Sequence, residues 1–290
     1  MVWVNAIVQG ILLGGLYALF ATGLSLAFGV MRFVNLAHGD LAILAAYMAL
    51  SISTGLSINP LTTLVIIVPG ALIFGYILQR LVFDRVVGVD PAFQIVATFG
   101  LGVVIQNALL EKYTADTQGL NVGKLETATI TINDTISIGW MPLITLMVAI
   151  AVLGGLALFI KYTRNGRAFR ATSDDPDAAR LMGIDIRRVF GVAMALAIAS
   201  VALAGVLLGV RGSFSPFSGP ENLIYAFEAV VIGGLGSLWG TLAGGITLGI
   251  AQLIGNQIDP QWGQLAGHIV FLAVLVFRPT GMFGKKMALR

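Results

Sequence analysis

From Val4 to Val30 the chain carries no charged residue, and long apolar runs of the same kind recur almost to its end. A hydrocarbon layer about 30 Å thick takes roughly 20 apolar residues in a helix to cross. No backbone N–H or C=O finds water there, so each such run has to close its hydrogen bonds within itself as an α-helix. Further runs reach from the polar elbow at residues 31–40 to about Ile58, from Pro60 to Phe83, from Phe93 to Leu110, from Met141 to Ile160, and from Val189 to Val210. Pro69 and Gly70 fall inside the third run and predict a kink. Leu223 to Asn256 is too long for one span and short for two; Gly233-Gly234-Leu235-Gly236-Ser237 offers a turn inside it. Leu265 to Phe277 closes the series. The pattern predicts an all-α fold: a polytopic transmembrane helical bundle of 8–10 hydrophobic segments, some broken or short, in a single domain over residues 1–290. Composition agrees, with 11% charged residues where a soluble protein has roughly 25%. The 36 glycines suit close helix-to-helix approach in lipid.

Charge orients the bundle. Lys161, Arg164, Arg167, Arg170, Arg180, Arg187 and Arg188, seven of the 17 basic residues, lie in the loop 161–188. The tail carries Arg278, Lys285, Lys286 and Arg290, and Arg80 and Arg85 flank the third run. Short basic loops stay on the cytoplasmic side, which puts these three regions inside and the N-terminus outside. No basic residue precedes Val4, so the first run reads as an uncleaved span. The loop 111–139 then falls outside. Its alternating Thr-Ala-Thr-Ile-Thr-Ile-Asn-Asp-Thr-Ile-Ser-Ile predicts a small outer-face β-hairpin turning at Asn133-Asp134. Gly14-Gly15-Leu16 and Gly233-Gly234-Leu235, with the residues that follow, also match at a constant offset and raise the possibility of an internal repeat.

Ionisable and polar groups at membrane depth each need a physical reason, because a charge there costs roughly 2.5–3.5 kcal/mol on insertion scales. His38 and Asp40 stand at the elbow after the first run, where solvation at an interface or pairing with Arg32 or Arg211 accounts for them. Glu228 lies inside the run 223–256 and is expected to face a polar cavity or a neighbouring subunit, where it either holds a partner's arginine or repels the anionic group of a zwitterionic solute, the first being favoured. Gln94 and Thr98 are four apart on one helix face with Gln106 at its edge; they either line a water-filled path or bond helix to helix. The candidates for a translocation path are thus Asn35, His38, Asp40, Gln94, Thr98, Gln106 and Glu228. Two histidines, no cysteine and no H-E-x-x-H or G-x-x-x-x-G-K pattern leave no recognisable catalytic residue, metal site or nucleotide cradle. The net charge of +3 is too small and dispersed to point to nucleic acid.

The loop 161–188 has its own punctuation. Asp175 is a helix N-cap, Pro176 suits the first helical position, and Gly183 supplies a left-handed end. A helix of two turns is unstable alone, so it packs on its own protein or docks on another. Asp177-Ala178-Ala179-Arg180-Leu181-Met182-Gly183 resembles the EAA-x-x-x-G coupling loop of bacterial ABC importer permeases, with Asp in place of Glu and without the Leu-Pro that follows in the longer motif. That resemblance implies that Asp177, Ala178, Ala179, Leu181, Met182 and Gly183 meet a cytoplasmic ATPase, with Ala178 and Ala179 as a close-contact surface. Gly10 to Leu19, Gly23-Leu-Ser-Leu-Ala-Phe-Gly29, Asn35-Leu-Ala-His-Gly-Asp40, Gly166-Arg-Ala-Phe-Arg-Ala171 and Val231-Ile-Gly-Gly-Leu-Gly-Ser237 resemble the LivH-type permeases of branched-chain amino-acid ABC importers over nearly the whole chain. The resemblance implies a bacterial inner-membrane subunit with no cofactor of its own, ATP and Mg being held by the partner ATPase. The implied partners are a second, LivM-like permease, two ABC ATPase subunits, a periplasmic amino-acid-binding protein and membrane lipid. Urea and short-chain amide importers share these blocks and are the alternative within the class. A self-sufficient small-solute channel is the alternative outside it.

Overall fold

The structure, a computed structural model, describes residues 2–133 and 136–284. Among them are helices α1 (Val2–Met31), α2 (His38–Leu56), α3 (Leu64–Leu81), α4 (Pro91–Tyr113), α5 (Lys124–Thr127), α6 (Trp140–Tyr162), α7 (Arg164–Asp174), α8 (Pro176–Leu181), α9 (Ile186–Arg211), α10 (Gly219–Gly233), α11 (Leu238–Ile258) and α12 (Trp262–Phe277). Seven of the apolar segments form helices long enough to cross a membrane. α10 and α12, at 15 and 16 residues, do not, since about 1.5 Å per residue carries them only some 24 Å. The fold is therefore the expected helical bundle with short segments. α3 follows a 3-10 turn at Pro60–Thr63 and continues as one helix through Pro69.

The expected hairpin is present as β1 (Thr129–Asn133) and β2 (Ile136–Gly139), antiparallel with Thr129 opposite Gly139 and Ile130 opposite Ile138. Asp134 of its expected turn lies outside the described residues, as do Lys285, Lys286 and Arg290 of the basic tail.

α1 and α9 are buried along most of their length and form the centre, while α3, α4 and α6 bury less than a third of theirs. Their outward faces carry Val65, Ile73, Phe93, Val96, Phe99 and Met147, all exposed. Lipid tails are as apolar as these side chains, so shape rather than hydrophobicity has to hold the inner helices together. Glycine provides the shape where α1 crosses α11. A Cβ added at Gly10 would stand 2.6 Å from Ile250 Cα, and one at Gly245 2.7 Å from the Gly14 carbonyl oxygen. The order of these pairs makes the two helices antiparallel.

Two breaks organise the interior. After α1 ends at Met31 the chain does not leave the bundle but turns back, and Nε2 of His38, at the start of α2, lies 2.9 Å from the carbonyl oxygen of Phe20. Phe20 sits eleven residues before the end of α1, about 16 Å at 1.5 Å per residue, so α2 begins in the middle third of α1. The same happens after α9: the chain bends at 212–218 and α10 starts with Gly219 packed on Gly39 and Asp40. From this meeting point the two helices leave in opposite directions. Tyr47 of α2 stacks on Tyr113 and meets Phe214 edge-on, at centroid distances of 4.5 and 4.9 Å, beside the ends of α4 and α9. α10 instead heads for the C-terminal end of α1, where Gly29 touches Gly236 and Ser173 of α7 donates to the Gly29 carbonyl at 2.6 Å. The glycine repeat read at constant offset is not borne out, because Gly14-Gly15 lies within α1 while Gly233-Gly234 is the break between α10 and α11.

Candidate functional site

The junction of the two breaks gathers four of the polar residues singled out above: Asn35, His38, Asp40 and Gln106. Asn35 Oδ1 accepts from the backbone N–H of Ala37 at 3.0 Å and shapes the turn into α2. His38 donates from Nε2 to the Phe20 carbonyl, and Gly23 makes room for its ring, since a Cβ there would come within 2.7 Å of His38 Cε1. Asp40 Oδ1 accepts from Gln106 Nε2 of α4 at 2.8 Å, and its other oxygen lies where a Cβ on Gly102 would reach it at 2.5 Å. Asn35, His38 and Asp40 are 1%, 2% and 4% exposed, which corrects the expectation of a solvated interface. Neither Arg32 nor Arg211 pairs with Asp40. What holds a carboxylate here is the amide of Gln106 and its place in the first turn of α2, against the first residue of α10. Both helix N-termini carry positive partial charge. Thr98 is fully buried and turned onto its own helix, donating to the Gln94 carbonyl at 2.9 Å, and half-buried Gln94 bonds the Val89 carbonyl. Gln106 thus bonds helix to helix, as does Tyr113 at the far end of α4 through Ser51 of α2; Asn107 bonds back to Val103.

Glu228 belongs to a separate seam between α10 and α12. It is 3% exposed, as expected of an inward-facing acid, but the group beside it is not a partner's arginine: it is this chain's own His268, whose Nδ1 lies 2.5 Å from Oε1. The second carboxylate oxygen has no hydrogen-bond partner among the described residues. Tyr225 stacks on the His268 ring and lies 5.0 Å from the ring of Tyr17. Tyr17 in turn donates to Gln252 Oε1 at 2.6 Å. One turn away, Glu221 Oε1 accepts from Tyr225 and Gln264 at 3.1 and 3.0 Å. The His268 side chain remains 41% exposed. Polar groups open at membrane depth face protein or water in preference to lipid, so this seam differs in kind from the apolar faces of α3, α4 and α6. Sequence reasoning passed over His268, Gln264, Tyr17 and Gln252. A signal was there: Gln264 and His268 are four apart on one face of an otherwise apolar run, and His268 is one of two histidines in the chain.

Removing one partner of a buried hydrogen bond leaves the other group unsatisfied. Glu228→Ala and His268→Ala are therefore each expected to lower the unfolding temperature of the purified protein by several degrees, and the double variant to be no worse than either single. Additive losses in a thermal melt would show that the two residues act independently.

The loop 161–188 contains one helix more than its sequence suggested. α7 is started by Thr163, whose Oγ1 accepts from Gly166 N at 2.9 Å, and is anchored by Phe169, 1% exposed and edge-on to Phe159. Arg170 donates to the carbonyls of Ile160 and Lys161, capping the last turn of α6. α8 follows with the expected punctuation: Asp175 Oδ1 accepts from the N–H groups of Asp177 and Ala178 at 2.9 and 3.0 Å, Pro176 opens the helix, and Gly183 has φ +81°. The short helix packs on its own protein by one face and leaves the other open. Ala179, 4% exposed, is the face turned to its own protein, which corrects its assignment to an outward contact surface. Leu181 and Met182, at 88% and 83% exposure, are among the most exposed large apolar side chains of the chain. Asp177 and Ala178 are exposed beside them.

A bundle of seven membrane-length helices, with short helices that begin inside it and a structured polar loop presenting apolar side chains, is the architecture of a multi-pass membrane permease. Residues 6–277 match the family model described as the permease component of the branched-chain amino acid transport system, and the chain belongs to that family. It is 30% identical to the high-affinity branched-chain amino acid transport system permease protein BraD of Pseudomonas aeruginosa, over 98% of this chain and 96% of that protein. It is 29% identical to the corresponding permease protein LivH of Escherichia coli K12, over 96% of this chain and 94% of that one. Among solved structures, a chain of PsaBC from Streptococcus pneumoniae in complex with Fab shares the fold at a TM-score of 0.50 and 16% identity, covering 96% of this chain and 92% of that one.

Proposed function

We propose that this chain is the permease subunit of an ATP-driven importer that carries branched-chain amino acids across a bacterial inner membrane. In this reading it supplies part of the path and hydrolyses no ATP itself. Hydrolysis takes place on two separate ATPase subunits, which hold the ATP and Mg, and a second permease completes the path. A periplasmic binding protein delivers the substrate. The observation that carries the reading is α8, a capped helix that exposes Leu181 and Met182 in a polar loop; apolar anchors of this kind are what a partner's groove takes up. The names of the full-length relatives support branched-chain amino acids over urea or amides as the substrate.

Uptake of labelled leucine, urea and acetamide into cells lacking their own systems, with the whole set of subunits supplied, tests the substrate. Leucine alone is expected to accumulate; urea or acetamide in its place would overturn the assignment. The loop 161–188 and the C-terminus lie in the cytoplasm in this reading, with the N-terminus and the β1–β2 hairpin in the periplasm. Cysteines introduced at Thr129 and Arg187, both exposed, test the orientation. The first is expected to react with a membrane-impermeant thiol reagent in intact cells and the second only after permeabilisation. The opposite pattern would invert the topology.

A further inference from the structure

A cavity of about 240 Å³ lies where α7 faces the C-terminal end of α1, the end of α6 and the start of α11. It is somewhat smaller than the roughly 300 Å³ at which drug-sized ligand pockets begin, and so suits one small molecule. Ser25 is among its lining residues; it is 1% exposed, and among the described residues its hydroxyl has no hydrogen-bond partner. A buried hydroxyl left unpaired is costly, and such groups in native proteins call for an explanation. Two opposite charges, Arg170 and Asp174, stand one turn apart on α7 along the same cavity, and both are exposed. Among the described residues neither forms an ion pair, with the other or elsewhere. Arg170 uses Nη1 on the carbonyls of Ile160 and Lys161, and a guanidinium has five N–H donors to offer. The remaining wall is apolar, with Leu26, Val30, Ile160, Phe169 and Leu238.

We infer that this cavity binds a free aliphatic α-amino acid from the side of the 161–188 loop, and that the bound molecule restrains the loop. The carboxylate pairs with Arg170, the ammonium with Asp174, and the aliphatic side chain lies on the apolar wall. A ligand carrying both charges and a short apolar chain satisfies all three parts of the wall; an anion or an amine satisfies two. The position gives occupancy a consequence. α7 is tied to α1 by the bond from Ser173 to the Gly29 carbonyl and runs into α8 through Asp175. A molecule bridging α7 to α1 adds to that tie and holds α8 in one place. The inference rests on the proposed function for its sidedness and its consequence: the accumulated substrate would slow its own import.

The test has two arms. In the first, labelled leucine is equilibrated with the purified full-length chain in lipid nanodiscs, with no binding protein present. Saturable binding is expected, weakened about tenfold by Asp174→Asn and by Arg170→Gln, each of which removes one charge-assisted contact. 4-Methylpentanoate, which lacks the ammonium, and 3-methylbutylamine, which lacks the carboxylate, are expected to compete about tenfold less well. Absence of binding to the unaltered chain, or equal binding to it and to both variants, would overturn the site. Because Arg170 also caps α6, Asp174→Asn, at an exposed position, is the decisive variant. In the second arm the assembled importer is placed in vesicles loaded with leucine on the loop side or left empty. The ratio of loaded to empty initial uptake is expected to fall below one, and to return towards one in Asp174→Asn. An unchanged ratio in that variant would overturn the restraint. Failure of empty vesicles to take up leucine at all would instead refute the proposed function, while the binding arm would still decide the cavity.

Discussion

Replacing Leu181 and Met182 together by glutamate is expected to abolish ATP-driven uptake while leaving the membrane-embedded protein intact. The two side chains are 88% and 83% exposed, so the folded chain loses little packing when they go; surface changes of this kind usually alter stability by less than about 0.5 kcal/mol. Contact with an ATPase is another matter. Anchors at the centre of an interface are worth about 2 kcal/mol or more each when truncated, and a buried glutamate adds an unpaired charge. A loss of roughly 4 kcal/mol corresponds to about a thousandfold in affinity. The expected result is therefore normal expression, an unchanged thermal melt, no co-purification of the ATPase subunits and no accumulation of leucine. Normal uptake in the double variant would remove α8 from the coupling surface. Ala179→Glu is expected to differ, because Ala179 is buried against the chain itself; it should loosen the loop, read as faster proteolysis between α7 and α9.

Gly219→Val is the second substitution with a large expected effect. A Cβ at this position would collide with Asp40, with its carboxylate oxygen Oδ1 and with its backbone nitrogen at 2.8 Å. The reciprocal contact is as tight, since a Cβ on Gly39 would meet the carbonyl group of Gly219. Backbone atoms cannot swing aside as a flexible side chain does, so the start of α10 has to move away from α2. Overpacking of this sort typically costs 1–3 kcal/mol, occasionally more, and here it also strips Asp40 of its surroundings at membrane depth. The yield of monodisperse protein and its unfolding temperature are both expected to fall sharply. Gly154→Ala is the matched control, because nothing lies within 4 Å of a Cβ there. Equal melts for the two variants would show that the junction of α2 with α10 contributes little.

These contrasts show which parts of the molecule the residues announced. Helix existence, order and approximate ends followed from apolar length, and the caps of α8 followed from Asp175, Pro176 and Gly183, because those signals are local. α7 was not legible: its composition is polar, and it owes its stability to Thr163, Phe169 and Arg170 binding back to α6. The depth of His38 and Asp40 was misread for a related reason. An elbow of mixed polarity looks the same in sequence whether it lies at the surface or folds back along α1, and only the contacts with Phe20, Gln106 and Gly219 separate the two. The inward placement of Glu228 was legible from charge cost alone, whereas its pairing with His268, forty residues away in sequence, was not.

The meeting of α2 and α10 at Asp40 has a mechanical corollary. A continuous helix can be bent at its middle only by straining several i to i−4 hydrogen bonds. Here each ladder already ends at the point of contact, so the segment on one side can pivot against the segment on the other with both ladders whole. Nearest the contact, the link to α4 that such a pivot would strain is the bond from Gln106 to Asp40. A pivot of this kind would concentrate shape change at one acidic side chain and the three glycines packed on it or on its neighbour, Gly39, Gly102 and Gly219.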